Sequence, residues 1–273
     1  MGDARRGVEL LTTEDETQAR GLAHALEEEN RKRRDIDDRT FEEALALIDE
    51  HIDLDRMWTI VLGSPQWHPG VIGIVASRII ERFYRPTVLI SFDGANGKGS
   101  ARSIQGFDLY AALRECKDCL VGFGGHKYAA GLRIERDKVE LFQRCFDEAA
   151  KRMLTPEQLT PTLRIDGEIS LSEIDERLYR LLNLFAPFGP QNMKPVLVCR
   201  DVEVVGTPRI VGHNHLKFRV RQKGRVFEAI GFGMGDLLYR IAPGEPNLDM
   251  AYVLEKNEWD GSSKFQLRIR DLK

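Results

Sequence analysis

Between Trp67 and Lys127 the sequence places three tracts whose residue types suit the grip of a phosphate group. The first is Trp67-His68-Pro69-Gly70-Val71-Ile72-Gly73-Ile74-Val75-Ala76-Ser77-Arg78. It joins a strand end to a helix N-terminus, where free N–H groups and the helix dipole favour an anion, with His68 at the mouth. Gly70 and Gly73 leave room for a ligand or for helix–sheet packing, and chemistry alone does not separate the two. The second tract, Lys98-Gly99-Ser100-Ala101-Arg102-Ser103, alternates basic and hydroxyl side chains with glycine. Period-two alternation puts Ser100 and Arg102 on one strand face, as donors for phosphate oxygens. A plain surface strand would carry the same pattern. The third, Gly122-Phe123-Gly124-Gly125-His126-Lys127, predicts a glycine-rich loop whose N–H groups form an anion nest, with His126 donating to a phosphate or holding a leaving group. A tight turn is the plainer explanation. Three such tracts in one α/β unit weigh more than any one of them.

A second concentration of charge lies further on. Lys194 to Arg225 holds eight basic residues against two acidic ones, Asp201 and Glu203. Lys217, Arg219 and Arg221 share one strand face, with Phe218 and Val220 on the other. A basic strand face on a small barrel is the pattern expected for a single-stranded nucleic acid. Trp259 and Phe227 are candidate stacking platforms. Core packing is the commoner fate of an aromatic residue, more so for Phe218 and Phe227 than for Trp259 in its polar turn.

Metal and thiol chemistry find less support. Cys116 and Cys119 form a CxxC pair near His126, but no second pair completes four zinc ligands. Cys145 and Cys199 look isolated on apolar faces, so all four thiols read as structural. His213-Asn214-His215 reads as a loop. No cluster of aspartates and histidines resembles a catalytic metal centre.

These tracts need elements to position them. A length of 273 residues favours two domains, and the longest apolar stretch, Val71 to Ala76, falls far short of the roughly 20 residues of a membrane span. The formal net charge of −3 argues at first against nucleic acid, but it is an average. Residues 1–56 carry nine basic and seventeen acidic residues, net −8; residues 57–159 carry +3 and residues 160–273 carry +2. The acidic segment predicts helices, with a capping box at Thr13 and Glu16 and a solvated connector from Glu27 to Arg39. Residues 57–159 predict an α/β unit: a strand at Thr59–Leu62, a helix from Val71 to about Phe83, a strand at Thr87–Ser91, a turn from Asp93 to Gly99, a helix capped by Asp108, a strand around Ala129–Ile134 and a helix from about Lys138 to Met153. Residues 160–273 predict a short strand at Leu163–Ile165 and a helix from Ile174 to Phe185. Strands follow at Pro195–Cys199, Val202–Val205, Leu216–Val220, Val226–Ile230, Met250–Glu255 and Phe265–Ile269, which suits a small barrel.

Together the motifs resemble the RecJ family of single-strand-specific exonucleases, within the DHH phosphoesterase superfamily. The likeness rests on His68 through Arg78, Lys98 through Ser103, Phe123-Gly124-Gly125-His126 with Ala129-Ala130-Gly131-Leu132, Phe188-Gly189-Pro190-Gln191-Asn192, Val211 through Lys217, and Asn257-Glu258-Trp259-Asp260-Gly261. Gly189 to Met193 lacks the second glycine and the proline usual in the family's turn. The resemblance implies a helical connector at 1–56, a DHH-associated α/β domain at 57–159 and an all-β OB-fold barrel at 160–273. It also implies that the metal-binding DHH domain lies outside this chain, which is then a C-terminal portion, inactive alone. The family's reaction is 5′ to 3′ hydrolysis of single-stranded DNA with Mn²⁺ or Mg²⁺, in DNA repair and recombination, in the cytoplasm, beside helicase and single-strand-binding protein. By resemblance Ser100, Arg102, Gly124, Gly125 and His126 hold phosphates, His68 and Arg78 contribute to or support that cleft, and the barrel holds the strand through Lys217, Arg219, Arg221 and Trp259. A relative acting on short oligonucleotides or cyclic dinucleotides, with the barrel as an interaction module, is the alternative. A barrel that binds protein alone is a third.

Overall fold

The chain folds as two units, Met1–Pro161 and Thr162–Lys273. The computed structural model describes residues 3–212, 214–241, 246–259 and 262–273, with the backbone alone at 246, 258, 259, 262 and 263.

Helices α1 (Arg5–Thr12) and α2 (Glu16–His51) lead the first unit. The capping box expected at Thr13 does not form. Asp15 caps α2 instead, its carboxylate accepting from the N–H groups of Thr17 and Gln18, while the Thr13 hydroxyl donates to Gln18 Oε1. The charged tract Glu27 to Arg39 is mostly exposed and lies within α2, which runs unbroken for 36 residues. Pairs such as Arg20–Glu16 and Lys32–Glu29 lie at helical spacing along it. Its last turns bury Ala44 and Ile48 beside Ile52, Ile60, Leu62 and Leu89.

The sheet and its helices follow in the order β1 (Ile60–Ser64), α3 (Ile72–Phe83), β2 (Thr87–Asp93), β3 (Asn96–Arg102), α4 (Leu109–Glu115), β4 (Gly122–Gly125), β5 (Ala129–Glu135) and α5 (Val139–Met153). The strand order is β1-β2-β3-β5-β4, with β1 parallel to β2 and the other pairs antiparallel. Two expected loops turn out to be strand. Between Asp93 and Gly99 only Gly94 and Ala95 turn the chain, because Asp93 already pairs with Asn96 and Gly94 takes a left-handed φ of 58°. Gly122 to Gly125 is the edge strand β4, its ladder running from Gly122 opposite Arg133 to Gly125 opposite Ala130.

Alternation along β2, β3 and β5 divides the sheet into two faces. On one, Val88, Ile90, Ala101, Leu132 and Ile134 pack with Phe107, Phe142 and Phe146. On the other, α3 covers the β1–β2 half through Ile72, Val75, Ala76 and Ile79 against Leu89. The β3–β5–β4 half of that face carries Lys98, Ser100, Arg102, Gly131, Arg133 and Gly124, all exposed or half-buried. The edge of β1 is tied down by a buried carboxylate: Asp147 of α5 accepts from Trp58 N–H, Thr59 N–H and Thr59 Oγ1, and pairs with Lys151 at 2.7 Å. Cys145 is not isolated, since it packs against the cluster holding Cys116 and Cys119. Burial and neighbouring thiols push the Cys116 thiol well above its ordinary range, as suits a structural role.

The second unit contains β6 (Gly167–Glu168), α6 (Glu176–Asn183), β7 (Leu197–Val211), β8 (His215–Gln222), β9 (Arg225–Gly231), β10 (Pro246–Trp259) and β11 (Ser262–Leu272). Residues 163–165 are not strand, and pairing with β7 begins at Gly167. The helix stops at Asn183, short of Phe185; Pro187 disfavours helical backbone at Ala186. The two strands expected at 195–205 are one long strand, β7, whose register shifts between Val205 and Arg209. The ladder β7-β8-β9-β11-β10 returns from β10 to β7 and closes a five-stranded OB-type barrel. Val204, Phe218, Val220, Phe227, Tyr252 and Leu267 fill it.

Replacing Asp147 by Ala orphans three donors and a lysine, so the first unit should lose about 3 kcal/mol in a denaturant titration. Asp147→Asn, which keeps an acceptor oxygen, should lose clearly less. Equal losses would assign the stabilisation to the Lys151 pair rather than to the hydrogen bonds.

Candidate nucleic-acid interface

The open half of the sheet face forms a cleft of about 320 Å³, lined by Pro69 and Ile72 on one side and by Lys98, Ser100, Arg102, Gly124 and Gly131 along its floor. Its centre is a cross-strand row of Ser100, Gly131 and Gly124, each directly opposite the next. Two of these three positions have no side chain. A methyl group on Gly124 would meet nothing within 4 Å, so backbone lies open where a ligand could approach closely. As the sheet edge, β4 also leaves the backbone polar groups of one side without a strand partner.

Arg102 dominates the electrostatics. Its Nη1 donates to Ser100 Oγ at 3.1 Å and to the Ala101 carbonyl at 2.9 Å. Among the described residues none of the ion pairs of the first unit uses it. Burial pushes its pKa below the ordinary arginine value, so an anion placed there would compensate for lost hydration. The guanidinium lies against the first turn of α3, where a Cβ on Gly73 would stand 2.8 Å from Arg102 Nη2 and 2.9 Å from Ser100 Oγ. Gly73 therefore serves close packing. The N-terminus of α3 has no side-chain cap and no acidic residue in its first turn, which leaves N–H groups and a positive dipole end beside the cleft.

Gly124 and Gly125 both line the cleft, but they differ. Gly125 has φ 150°, and a Cβ there would collide with the Ala129 carbonyl and with Ala130. His126 follows in the exposed β4–β5 turn, its backbone N–H donating to the Ala129 carbonyl. His68 is exposed on the loop before α3. Its Nδ1 accepts from Gly70 N–H at 3.0 Å, leaving Nε2 as the donor of the neutral ring. It lines a neighbouring pocket rather than this cleft. Arg78 stands outside the cleft. It pairs with Asp37 and Asp38 and lies 4.0 Å from the Phe41 ring centroid, joining α3 to α2.

The barrel's cations are partly spent. Arg221 makes a two-pronged bond to Glu203, and Lys217 pairs with Glu228 at 3.2 Å. Arg200 pairs with Glu168 and Asp249, and Lys194 with Glu255. Among the described residues Arg219 and Arg209 form no ion pair, and they meet with Thr207, Lys217 and Glu228, which stands opposite Arg219 on β9, in a hollow of about 300 Å³. Arg209 was visible in the sequence only as one charge of eight; the register shift in β7 brings it opposite Lys217. The Trp259 side chain and His213 lie outside the described residues. Among the described residues no group of three His, Cys, Asp or Glu side chains could hold a metal ion, so no chemical step is assigned to a metal on this chain. No described helix is long and apolar enough to cross a membrane.

Two family models match this arrangement, the DHHA1 domain over residues 57–152 and the RecJ OB domain over residues 165–271. The chain carries a DHHA1 domain and a RecJ OB domain. Curated relatives described as single-stranded-DNA-specific exonuclease RecJ include that of Bacillus subtilis, 34% identical over 97% of this chain and 34% of the relative. That of Escherichia coli is 34% identical over 100% of this chain and 48% of the relative. The chain thus spans between a third and a half of the relatives' length. The crystal structure of Thermus thermophilus RecJ in complex with Mn²⁺ matches 99% of this chain and 38% of its own, with TM-score 0.78 and 28% identity; a Mg²⁺ complex of the same protein matches with TM-score 0.77.

Gly125→Ala should cost the first unit about 1–3 kcal/mol in thermal or chemical unfolding. Gly124→Ala should leave stability nearly unchanged while weakening the binding of a phosphorylated ligand. Equal destabilisation by both would remove the distinction between a structural and a ligand-facing glycine.

Proposed function

We propose that the chain is the substrate-holding portion of a RecJ-like exonuclease that degrades single-stranded DNA from the 5′ end. The observation that carries this is the Ser100–Gly131–Gly124 row: bare backbone flanked by a half-buried Arg102 that has no carboxylate partner among the described residues. A phosphodiester offers that row what it lacks, negative charge on a thin backbone that can lie close to glycine. Ser100, Arg102, Gly124, Gly125 and His126 hold phosphates near the scissile bond, and His68 borders them. Arg78 acts indirectly, by fixing α3 to α2. In the barrel, Arg219 and Arg209 hold the strand, with Lys217 and Arg221 weakened as contacts by Glu228 and Glu203 and with Trp259 as a stacking platform.

The domain limits 1–56, 57–159 and 160–273 belong to the same proposal. So does a DHH domain outside this chain that supplies the Mn²⁺ or Mg²⁺ centre; the metal complexes of the Thermus relative support it. Cytoplasmic action in repair and recombination, with helicase and single-strand-binding partners, rests on family likeness alone. With Mn²⁺, the purified chain should not hydrolyse single-stranded DNA.

Fluorescence anisotropy with 5′-phosphorylated oligothymidylates tests the reading. Arg102→Ala should weaken binding roughly tenfold, as for loss of a hydrogen bond to a charged group, without lowering the melting temperature. Arg219→Ala should reduce the slope of log affinity against log salt by about 0.7 whatever the sequence, and Lys217→Ala by less. Unchanged affinity in Arg102→Ala would contradict the phosphate assignment. Affinity that stops rising beyond a few nucleotides would favour an enzyme of short oligonucleotides or cyclic dinucleotides.

A further inference from the structure

A second, larger pocket of about 760 Å³ lies on the same sheet face. It shares Lys98 and Pro69 with the Ser100–Arg102 cleft, so the two adjoin. His68 from the loop, Lys98 from β3 and Arg133 from β5 all line it. Lys98 and Arg133 are direct cross-strand neighbours, one row along the sheet from Ser100 and Gly131. Among the described residues none of the ion pairs of the first unit uses either cation. The Arg133 guanidinium lies over Gly122, with Nη2 3.7 Å from where a Cβ would stand, and so reaches along the floor. Asp93 is the acidic residue lining the pocket, a row further on opposite Asn96; its one charge is outnumbered by Lys98 and Arg133.

Two features point to a nucleotide rather than a bare ion. The volume is more than twice that of the first cleft, and the rim carries the amides of Gln66 and Asn96, which can pair with a base edge. Ser100 and Lys98 are two residues apart on one strand, roughly 7 Å along it, a step that one nucleotide of an extended single strand spans. We propose that this pocket is a second subsite, which takes the nucleotide adjacent to the one whose phosphate sits on Ser100 and Arg102. Arg133 holds the phosphate of that second nucleotide, and Lys98 stands between the two anions. The proposal rests on the reading of the first cleft as a phosphate site.

Calorimetric titration of the 273-residue chain with thymidine 5′-monophosphate and with 5′-phosphorylated dithymidylate separates the two claims. Arg133→Ala should weaken the dinucleotide roughly tenfold, the loss expected for one charge-assisted contact, and leave the monophosphate unchanged. Arg133→Lys should recover part of the loss. Arg102→Ala should weaken both ligands. Arg133 is exposed, so its variants should melt with the unsubstituted chain. If Arg133→Ala binds the dinucleotide normally while Arg102→Ala does not, the second subsite is overturned and the first cleft stands. If Arg102→Ala binds both ligands normally, the reading of the first cleft falls, and the second subsite with it.

Discussion

The contact between the Arg102 guanidinium and the first turn of α3 governs the site. Glycine at position 73 allows it, since a Cβ there would press on both Arg102 and Ser100 and displace the guanidinium. The contact half-buries a cation beside a helix end that is itself positive and uncapped. The result is a concentration of positive potential with no carboxylate partner among the described residues, poised over open backbone. An arginine in a solvated side-chain ion pair would present far less unmet charge.

The rest of the first unit holds that contact in place. Helix α3 is anchored from below by Ile72, Val75, Ala76 and Ile79, and from outside by its Arg78, which pairs with Asp37 and Asp38 of α2. The sheet is anchored on its other face by the phenylalanines packed beneath it. Asp147 fixes the chain where it enters β1. Coverage of one half of a sheet face by a helix leaves the other half to a ligand, and glycine at 124 and 131 keeps that half flat. The barrel follows a different logic. It places cations outward on β8 but brings carboxylates from β7 and β9 against two of them, so its charge is more diffuse and its contacts individually weaker.

Much of this was legible in the residues. Alternation in Lys98 to Ser103 put Ser100 and Arg102 on one face, and the helix beginning after Pro69-Gly70 stands where the apolar spacing placed it. The glycine tract at 122–125 misled because glycine is depleted in strands; pairing with β5 overrides that preference. Thr13 lost the cap to Asp15, a better-placed acceptor two residues on. Glu203 stood inside the basic segment, but Glu168, Glu228, Asp249 and Glu255 lie outside it and reach its cations only through strand pairing and barrel closure. The adjoining pocket was hidden for the same reason, since Lys98 and Arg133 are 35 positions apart in the chain yet neighbours in the sheet.

The most direct measurement of the central claim is amide chemical-shift mapping of the isotope-labelled chain during titration with a short 5′-phosphorylated oligothymidylate. Binding at the open sheet face predicts the largest shifts at Ser100, Arg102, Gly124 and Gly131 and at the start of α3. Shifts confined to the barrel, with those amides unmoved, would contradict it.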